Sequence, residues 1–264
     1  MKPIIDINIW ELLLSFLMMI IPLFFLYIYK IKLIKSTLIG VLRMGIQLAL
    51  VAVYLEWIFD QNNAWINSIW VMIMILVGVF TTIIRASLNW KTLALPLFIA
   101  GLTSIFIIDA FFLGFIIKLD YLFDARYFIP ITGMILGNSL NHNIIGLSTY
   151  FKALKEKSDL YQFLLSNTGS SKLALRPFIG EAVKQAINPM IATMSVLGLI
   201  SLPGMMTGQI LGGSPPSIAI KYQIMIMIAI FVGCTLNLFL SIILVNRFAF
   251  DRYQNFKAKE IIKS

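Results

Sequence analysis

The stretch ALRPFIGEAVKQAINPMIATMSVLGLISLPGMMTGQILGGSPPS, from Ala174 to Ser217, decides the fold class of this chain. It begins as a charged amphipathic segment, continues as an apolar segment interrupted by polar residues, and ends in an uncharged run rich in Gly, Pro and Met. In a membrane protein this order indicates a cytoplasmic docking helix, a transmembrane helix and a broken segment beside a translocation pathway. We therefore predict a broken or re-entrant element at about residues 201–217.

The composition of the whole chain independently indicates an integral membrane protein. Its 264 residues are 59% hydrophobic and 12% charged, whereas a soluble domain carries about 25% charged residues. Seven apolar runs are long enough to cross a hydrocarbon core of about 30 Å, and their continuity predicts helices. The predicted spans are Ile9–Tyr29, Thr37–Phe59, Ile66–Ile84, Thr92–Phe115, Phe128–Leu147, Ile187–Leu202 and Ile218–Val245. We predict a single all-α transmembrane domain, residues 1–264, in the cell (plasma) membrane.

The distribution of basic residues predicts the orientation of the chain. With the N-terminus outside, sixteen of the 21 Lys and Arg residues fall on the cytoplasmic side and four fall outside, while Arg43 lies within the second span. This asymmetry follows the positive-inside rule and predicts an external N-terminus and a cytoplasmic C-terminus. It also explains the net charge of +9 as a topology signal and a contact with the inner leaflet, which argues against nucleic-acid binding.

Three stretches resemble the FetB-type (UPF0014) permease family: LPGMMTGQILGG (Leu202–Gly213), RMGIQLALVAVYLEWIF (Arg43–Phe59) and PITGMILGNSLNHNIIG (Pro130–Gly146). Members are integral-membrane subunits of ABC transporters linked to iron export and, in plants, to aluminium tolerance. The resemblance implies a homodimeric permease that exports a metal ion. It also implies a separate cytoplasmic ATPase subunit that binds the ATP. His142 departs from the glycine usual in the family at that position.

The inner segment at about residues 150–186 is the predicted docking site for that soluble partner. The sequence has no G-x-x-x-x-G-K-[ST] motif and no acid/base or nucleophile–base pair, so we predict a chain that is not itself an enzyme and binds no cofactor. Arg176, Glu181 and Lys184 belong to a predicted short amphipathic coupling helix, with Ala182 and Lys184 at the contact. A helix lying on the membrane surface is the alternative interpretation.

Polar residues within the spans indicate a pathway, because their burial in lipid is costly. We assign Gln47 of the second span and Asn138 and Asn141 of the fifth to the substrate pathway. Arg43 lies on the same helical face as Gln47, and its alternative role is to snorkel to the inner interface. The alternatives for Asn138 and Asn141 are an interhelical hydrogen-bond clamp and the ragged inner end of the fifth span.

The run from Leu202 to Gln209 supplies the other predicted pathway residues, Met205, Met206 and Gln209. The Met205 and Met206 thioethers suit a soft metal such as Cu(I), but flexible packing in a moving interface is the favoured explanation, and the sequence identifies no metal site. The lone Cys234 and His142 have no neighbouring co-ligands. Cys234 is expected to be a buried small residue.

Two further points concern function. The outer side carries carboxylates that either attract a departing cation or are ordinary solvated loop charges: Asp6, Glu11, Glu56, Asp60, Asp109, Asp120 and Asp124. The alternatives to ATP-driven metal export are a carrier or channel that needs no ATPase, and ATP-driven export of another solute such as a nucleotide-sugar.

Overall fold

The computed structural model describes residues 8–263, which form a helical bundle without β-strands. The predicted all-α class is therefore confirmed. The helices are α1 (Ile9–Leu17), α2 (Ile20–Ile28), α3 (Ile34–Gln61), α4 (Ala64–Arg85), α5 (Trp90–Asp109), α6 (Ala125–Glu156), α7 (Ser158–Thr168), α8 (Ser171–Val196), α9 (Gly204–Leu211), α10 (Pro216–Ala249) and α11 (Ala258–Ile261). A π-helical segment, Ala110–Ile116, continues α5. Asn63, Asn89 and Asp124 cap α4, α5 and α6 by accepting a backbone N–H hydrogen bond.

Five described segments are long and apolar enough to cross a membrane: Trp10–Ile28, Ile34–Gln61, Ala64–Arg85, Trp90–Ile116 and Pro216–Ala249. They correspond to five of the seven predicted spans. The other two lie in α6 and α8, which are helical but more polar, so the seven-span count and the orientation stay predictions. The predicted end of the sixth span is wrong, because α8 ends at Val196 and Gly198 adopts a φ of 82°.

The core of the bundle forms where α6 and α10 approach closely. A methyl group added at Gly146 of α6 would lie 2.5 Å from the Leu238 side chain of α10. One added at Gly233 of α10 would lie 2.7 Å from Ile135 of α6. Glycine at both positions lets the helix backbones come together and leaves Leu238 and Ile135 almost fully buried. Helices α4, α5 and α8 pack around this pair.

The first three helices stand apart from that core. Ile58, near the end of α3, is buried, and most other described residues of α1 to α3 are exposed although they are apolar. The Asn62 side chain accepts a 2.9 Å hydrogen bond from the Ala125 backbone N–H, which joins the end of α3 to the start of α6. Such exposed apolar helices are expected where lipid or another membrane chain covers them.

One end of the bundle, which we call the basic end, comprises the 86–89 turn, α7 and residues 250–263. The Asn89 side-chain amide donates to the Glu260 carbonyl over 2.9 Å, and the Lys263 N–H donates to the Ser87 carbonyl over 2.8 Å. Basic residues in and beside this end are Arg85, Lys91, Lys152, Lys155, Lys157, Arg247, Arg252, Lys257, Lys259 and Lys263. The opposite end comprises residues 61–64 and 117–125.

The close contact between α6 and α10 generates a stability prediction. Gly146→Val should lower the free energy of unfolding by about 1–3 kcal/mol, because its side chain overlaps buried Leu238. Gly180→Val is the matched control: the helical position is exposed and a methyl group there meets nothing within 4 Å. Thermal unfolding of the purified proteins in detergent measures both. Equal loss in the two variants would contradict the packing explanation, because only Gly146 faces a buried neighbour.

Candidate translocation pathway and docking surface

The middle of α6 carries a polar stripe that the rest of the described chain leaves uncovered. Gly137, Asn138 and Asn141 are all exposed, and they share one helical face. The Asn138 side-chain amide donates over 2.8 Å to the Met134 carbonyl of its own helix, and no hydrogen bond joins the Asn138 or Asn141 side chain to another helix of residues 8–263. A rise of about 1.5 Å per residue puts Asn138 roughly 20 Å from the start of α6, inside the fifth predicted span.

The interhelical clamp in α6 is formed by a different asparagine. Asn143 is buried, and its side-chain amide donates over 3.0 Å to Asn237 of α10, whose side-chain oxygen also accepts from Ser241 over 3.2 Å. A cavity of about 20 Å³ lies beside Asn143 and Asn237, and a space of that size holds one water molecule. The clamp therefore leaves Asn138 and Asn141 free for another role. Sequence reasoning passed over Asn143, although its spacing from Asn138 and Asn141 places it on another face.

The predicted pathway residues of the second span lie on an exposed helix. Gln47 and Arg43 are exposed on α3, and no side-chain hydrogen bond of theirs occurs within residues 8–263. Tyr54 is half-buried, because its ring packs against Trp70 of α4 with centroids 4.2 Å apart. The structure thus does not bring Gln47 into a cavity with Asn138 and Asn141.

The break after α8 opens a cavity of about 410 Å³ between α8, α9 and α10. Met206 is buried and lines it with Met194, Met227 and Gln223. The Gln223 side-chain oxygen is buried and has no hydrogen-bond partner in the described chain, so it is the polar group of this cavity that sequence reasoning missed. A single glutamine in an apolar run carries little signal in the sequence.

The remaining predicted residues of this segment, Met205 and Gln209, do not line that cavity. Met205 is half-buried against the core, and the Gln209 side-chain oxygen is buried with no partner in residues 8–263. Residues 197–203 form a turn, α9 follows, and Gly213 adopts a φ of 95° before α10 begins. Re-entry of this broken segment into the membrane stays a prediction.

The predicted coupling residues lie on one continuous helix. Arg176, Glu181 and Lys184 are exposed on α8, whose second half contains the start of the sixth predicted span. The short, separate amphipathic helix expected here is therefore wrong. Ala182 is fully buried, so the expectation that it contacts a partner is also wrong. Small, buried residues on the inner face let α8 pack closely on α6 and α7.

A helix that sequence reasoning missed, α7, adds a second exposed surface at the basic end. Its Leu160 and Phe163 side chains are 45% and 64% exposed and lie three residues apart on one face. The other face carries Tyr161, which is buried. Lys157 contacts Glu181 at 3.4 Å and so joins the start of α7 to α8. Together, Leu160, Phe163, Arg176 and Lys184 define what we call the docking surface.

The C-terminal tail holds α7 in place. The Tyr161 hydroxyl donates over 2.9 Å to the Gln254 carbonyl, and burial raises the pKa of Tyr161. Asp251 accepts 2.8 Å hydrogen bonds from the Asn255 and Tyr253 backbone N–H groups, and the Asn255 bond in particular lowers the pKa of Asp251. The carboxylate therefore stays ionised at neutral pH and closes the tail into a tight loop.

Acidic and metal-binding side chains are sparse. Glu11, Glu56, Asp60 and Asp120 are exposed, Asp124 caps α6, and Asp6 lies outside the described residues. Asp109 departs from the expectation of an external loop charge, because it is buried. Within residues 8–263, no three His, Cys, Asp or Glu side chains come together as a metal site. Cys234 is buried, as expected.

Comparison with known proteins identifies relatives along nearly the whole chain. It is 27% identical to "UPF0014 membrane protein YjkA" of Bacillus subtilis, covering 94% of this chain and 97% of the relative. It is 29% identical to "Probable iron export permease protein FetB" of Escherichia coli, covering 90% of each chain. It is 28% identical to "Protein ALUMINUM SENSITIVE 3" of Arabidopsis thaliana, covering 76% of this chain and 72% of the relative.

No solved structure is significantly similar to this chain. The relatives and the apolar helices agree on a multi-pass membrane protein. The model of the "Uncharacterised protein family (UPF0014)" matches residues 9–250. The chain is thus a member of the UPF0014 family of membrane proteins.

Proposed function

We propose that this chain is the membrane permease of an ATP-driven exporter of metal ions, with iron as the cargo. It acts as a homodimer and binds two copies of a separate cytoplasmic ATPase. The similarity to a probable iron export permease supports the cargo. The observation that carries the proposal is the uncovered polar stripe of Gly137, Asn138 and Asn141 in the middle of α6.

The polar stripe supports a pathway shared by two copies. Lipid offers no hydrogen-bond partner to an exposed amide, so Asn138 and Asn141 need a second chain or a water-filled space. Gly137 gives a low surface against which another helix can approach closely. A second copy meeting this stripe would enclose a route lined by amide groups from both chains. Carbonyl oxygens of such amides suit hard cations that keep part of their water shell.

The docking surface supports the proposal that a separate ATPase subunit supplies the energy for transport. The chain carries no phosphate-binding glycine loop, so ATP hydrolysis belongs to a partner. Phe163 and Leu160 expose apolar area at the basic end of the bundle. A partner with an apolar pocket and an acidic rim fits that surface.

The first prediction from the proposed function concerns orientation. Gln61→Cys should react with a membrane-impermeant maleimide on intact cells, whereas Tyr253→Cys should react only after permeabilisation, because the basic end faces the cytoplasm. Both positions are exposed, and buried Cys234 leaves the parent chain unlabelled. Labelling of Tyr253→Cys on intact cells would invert the topology and place the docking surface outside.

The second prediction concerns the pathway. Asn138→Leu and Asn141→Leu should each lower iron export by about tenfold or more, as expected for the loss of about 1.4 kcal/mol of polar stabilisation of the cargo. Gln209→Leu should have the same effect if the broken segment lines the route. Export from everted vesicles or proteoliposomes that contain the ATPase measures the change.

Thr103→Leu provides the matched control for the pathway variants. Thr103 is an exposed polar residue of α5 outside the stripe, so its loss should leave export unchanged. All variants should insert and dimerise as the parent does, as judged by mass in detergent. Normal export by the two asparagine variants would contradict the pathway.

The third prediction concerns coupling. Phe163→Ala should weaken retention of the ATPase by about tenfold or more, because an exposed aromatic residue that fills a partner pocket contributes on the order of 2 kcal/mol to binding. Cargo-stimulated ATP hydrolysis should fall with it. Lys184→Glu should weaken the same contact in a salt-dependent manner.

Tyr253→Ala is the control for Phe163→Ala. Tyr253 is 84% exposed in the tail of the same end, outside the docking surface. Pull-down with the ATPase at two salt concentrations compares the variants. Retention that is lost in Tyr253→Ala and kept in Phe163→Ala would move the contact from α7 to the C-terminal tail.

A further inference from the structure

Asp109 is an acidic side chain inside the membrane-crossing part of α5. It is 5% exposed and is the only buried carboxyl group of residues 8–263. Its position, seven residues before the end of the Trp90–Ile116 segment, is about 10 Å from that end. An intramembrane ionisable group is costly to keep and points to a function.

The hydrogen bonds of Asp109 are incomplete for an ionised carboxylate. One oxygen, Oδ2, accepts a 2.6 Å hydrogen bond from the hydroxyl of Thr132 on α6. The other oxygen, Oδ1, is buried without a partner in the described chain. A carboxylate accepts several hydrogen bonds, whereas a carboxylic acid has a proton of its own on one oxygen. The single neutral donor at Asp109 fits the acid form.

A cavity of about 200 Å³ lies beside Asp109 between α4, α5, the start of α6 and the 117–124 loop. Its walls are apolar apart from Asp109 and Ser68. Neither α4, the start of α6 nor the loop presents a lysine, arginine, histidine or second carboxyl group to it, and no residue of α10 lines it. An ionised Asp109 would thus have no counter-ion here.

The cavity is open at the bundle surface. Phe106 and Met72 line it and are 73% and 37% exposed, so it reaches the face of the bundle that meets lipid.

Asp109 also lies at a change of helix geometry. The π-helical segment begins at Ala110, the next residue, and continues to Ile116. This segment forms the last turns of α5 before the 117–124 loop, and π-helical turns are rare and occur frequently at functional sites. Thr132 is on another helix, so its hydrogen bond links this junction to α6 and hence to the polar stripe.

We propose that Asp109 is a proton-binding site, at which a proton is held on Oδ1 and exchanged during the transport cycle. On release, the O–H bond breaks, the proton passes to a water molecule admitted to the cavity, and the negative charge stays on the carboxylate, which water then solvates. Reprotonation reverses these steps. The exchange rests on the proposed export function, whereas the protonated state of the isolated chain does not.

The protonated state is tested on the full-length chain by infrared spectroscopy in ester-free detergent. The wild type minus Asp109→Asn difference spectrum should show the carbonyl stretch of a carboxylic acid at neutral pH, shifted by deuterium exchange. Asparagine has the shape of aspartate and can accept the Thr132 hydrogen bond, so the variant should fold. Absence of that acid band in the wild type would overturn the proposal.

Access to the site is tested with dicyclohexylcarbodiimide, an apolar reagent that modifies protonated carboxyl groups. The acid proton moves to a nitrogen of the reagent, the carboxylate oxygen bonds to its central carbon, and rearrangement gives a stable N-acylurea without a leaving group. Mass spectrometry should find Asp109 modified, less so as the pH rises. The control is Ser104→Ala, which removes a buried hydroxyl group from the same helix. Asp109 of that variant should be modified as in the wild type. Asp109 left unmodified at every pH would overturn exchange through the cavity.

Exchange during transport is tested in proteoliposomes that contain the ATPase, with Fe(II) as the cargo. Cargo-stimulated ATP hydrolysis by the wild type should change with pH on the side opposite to the ATPase, and Asp109→Asn should lose that dependence. If Asp109→Asn keeps the pH dependence of the wild type, proton exchange at Asp109 is overturned. Absence of any cargo stimulation in the wild type would instead count against the proposed function, and the infrared result would still decide the proton site.

Discussion

The contact between α6 and α10 is the constraint on which the rest of the structure depends. Gly146 and Gly233 bring the two backbones together, and the hydrogen bond between Asn143 and Asn237 fixes their register. In a membrane, close packing and interhelical hydrogen bonds replace the hydrophobic effect as the source of helix association. Because α6 is held through this face, its opposite face, with Gly137, Asn138 and Asn141, is left outward. The same packing therefore builds the core and exposes the polar stripe.

The sequence predicted the helical class well, since an apolar run crossing lipid has no other way to satisfy its backbone. It predicted less well wherever burial depends on neighbours. Ala182 reads as part of an amphipathic surface, yet it is the small residue that lets α8 pack inward. Leu160 and Phe163 read as ordinary loop residues, because the short helix α7 has a mixed composition and its exposed face becomes clear only once Tyr161 is anchored to the tail.

The candidate site illustrates the same limit. Asn138, Asn141 and Met206 could be chosen from sequence, since polar or soft side chains in apolar runs are conspicuous. Gln223 and Asp109 could not, because a glutamine in α10 or an aspartate near a span end has many ordinary explanations. Their significance comes from cavities that belong to several helices at once. The π-helical register after Asp109 likewise leaves no simple mark in an apolar sequence.

Helix α8 gives the proposed exporter a direct mechanical link. It runs without interruption for 26 residues, about 39 Å, from the docking surface to the break at residues 197–203. Lys157 and Glu181 join its first half to α7, so a partner that moves α7 moves α8 as well. The far end of α8 contributes Met194 to the cavity that contains Gln223 and Met206. Coupling requires an element whose position both sites influence, and α8 reaches both. Its two internal prolines, Pro177 and Pro189, leave backbone carbonyls unpaired along its length, which lets the helix bend rather than slide when the docking surface is displaced.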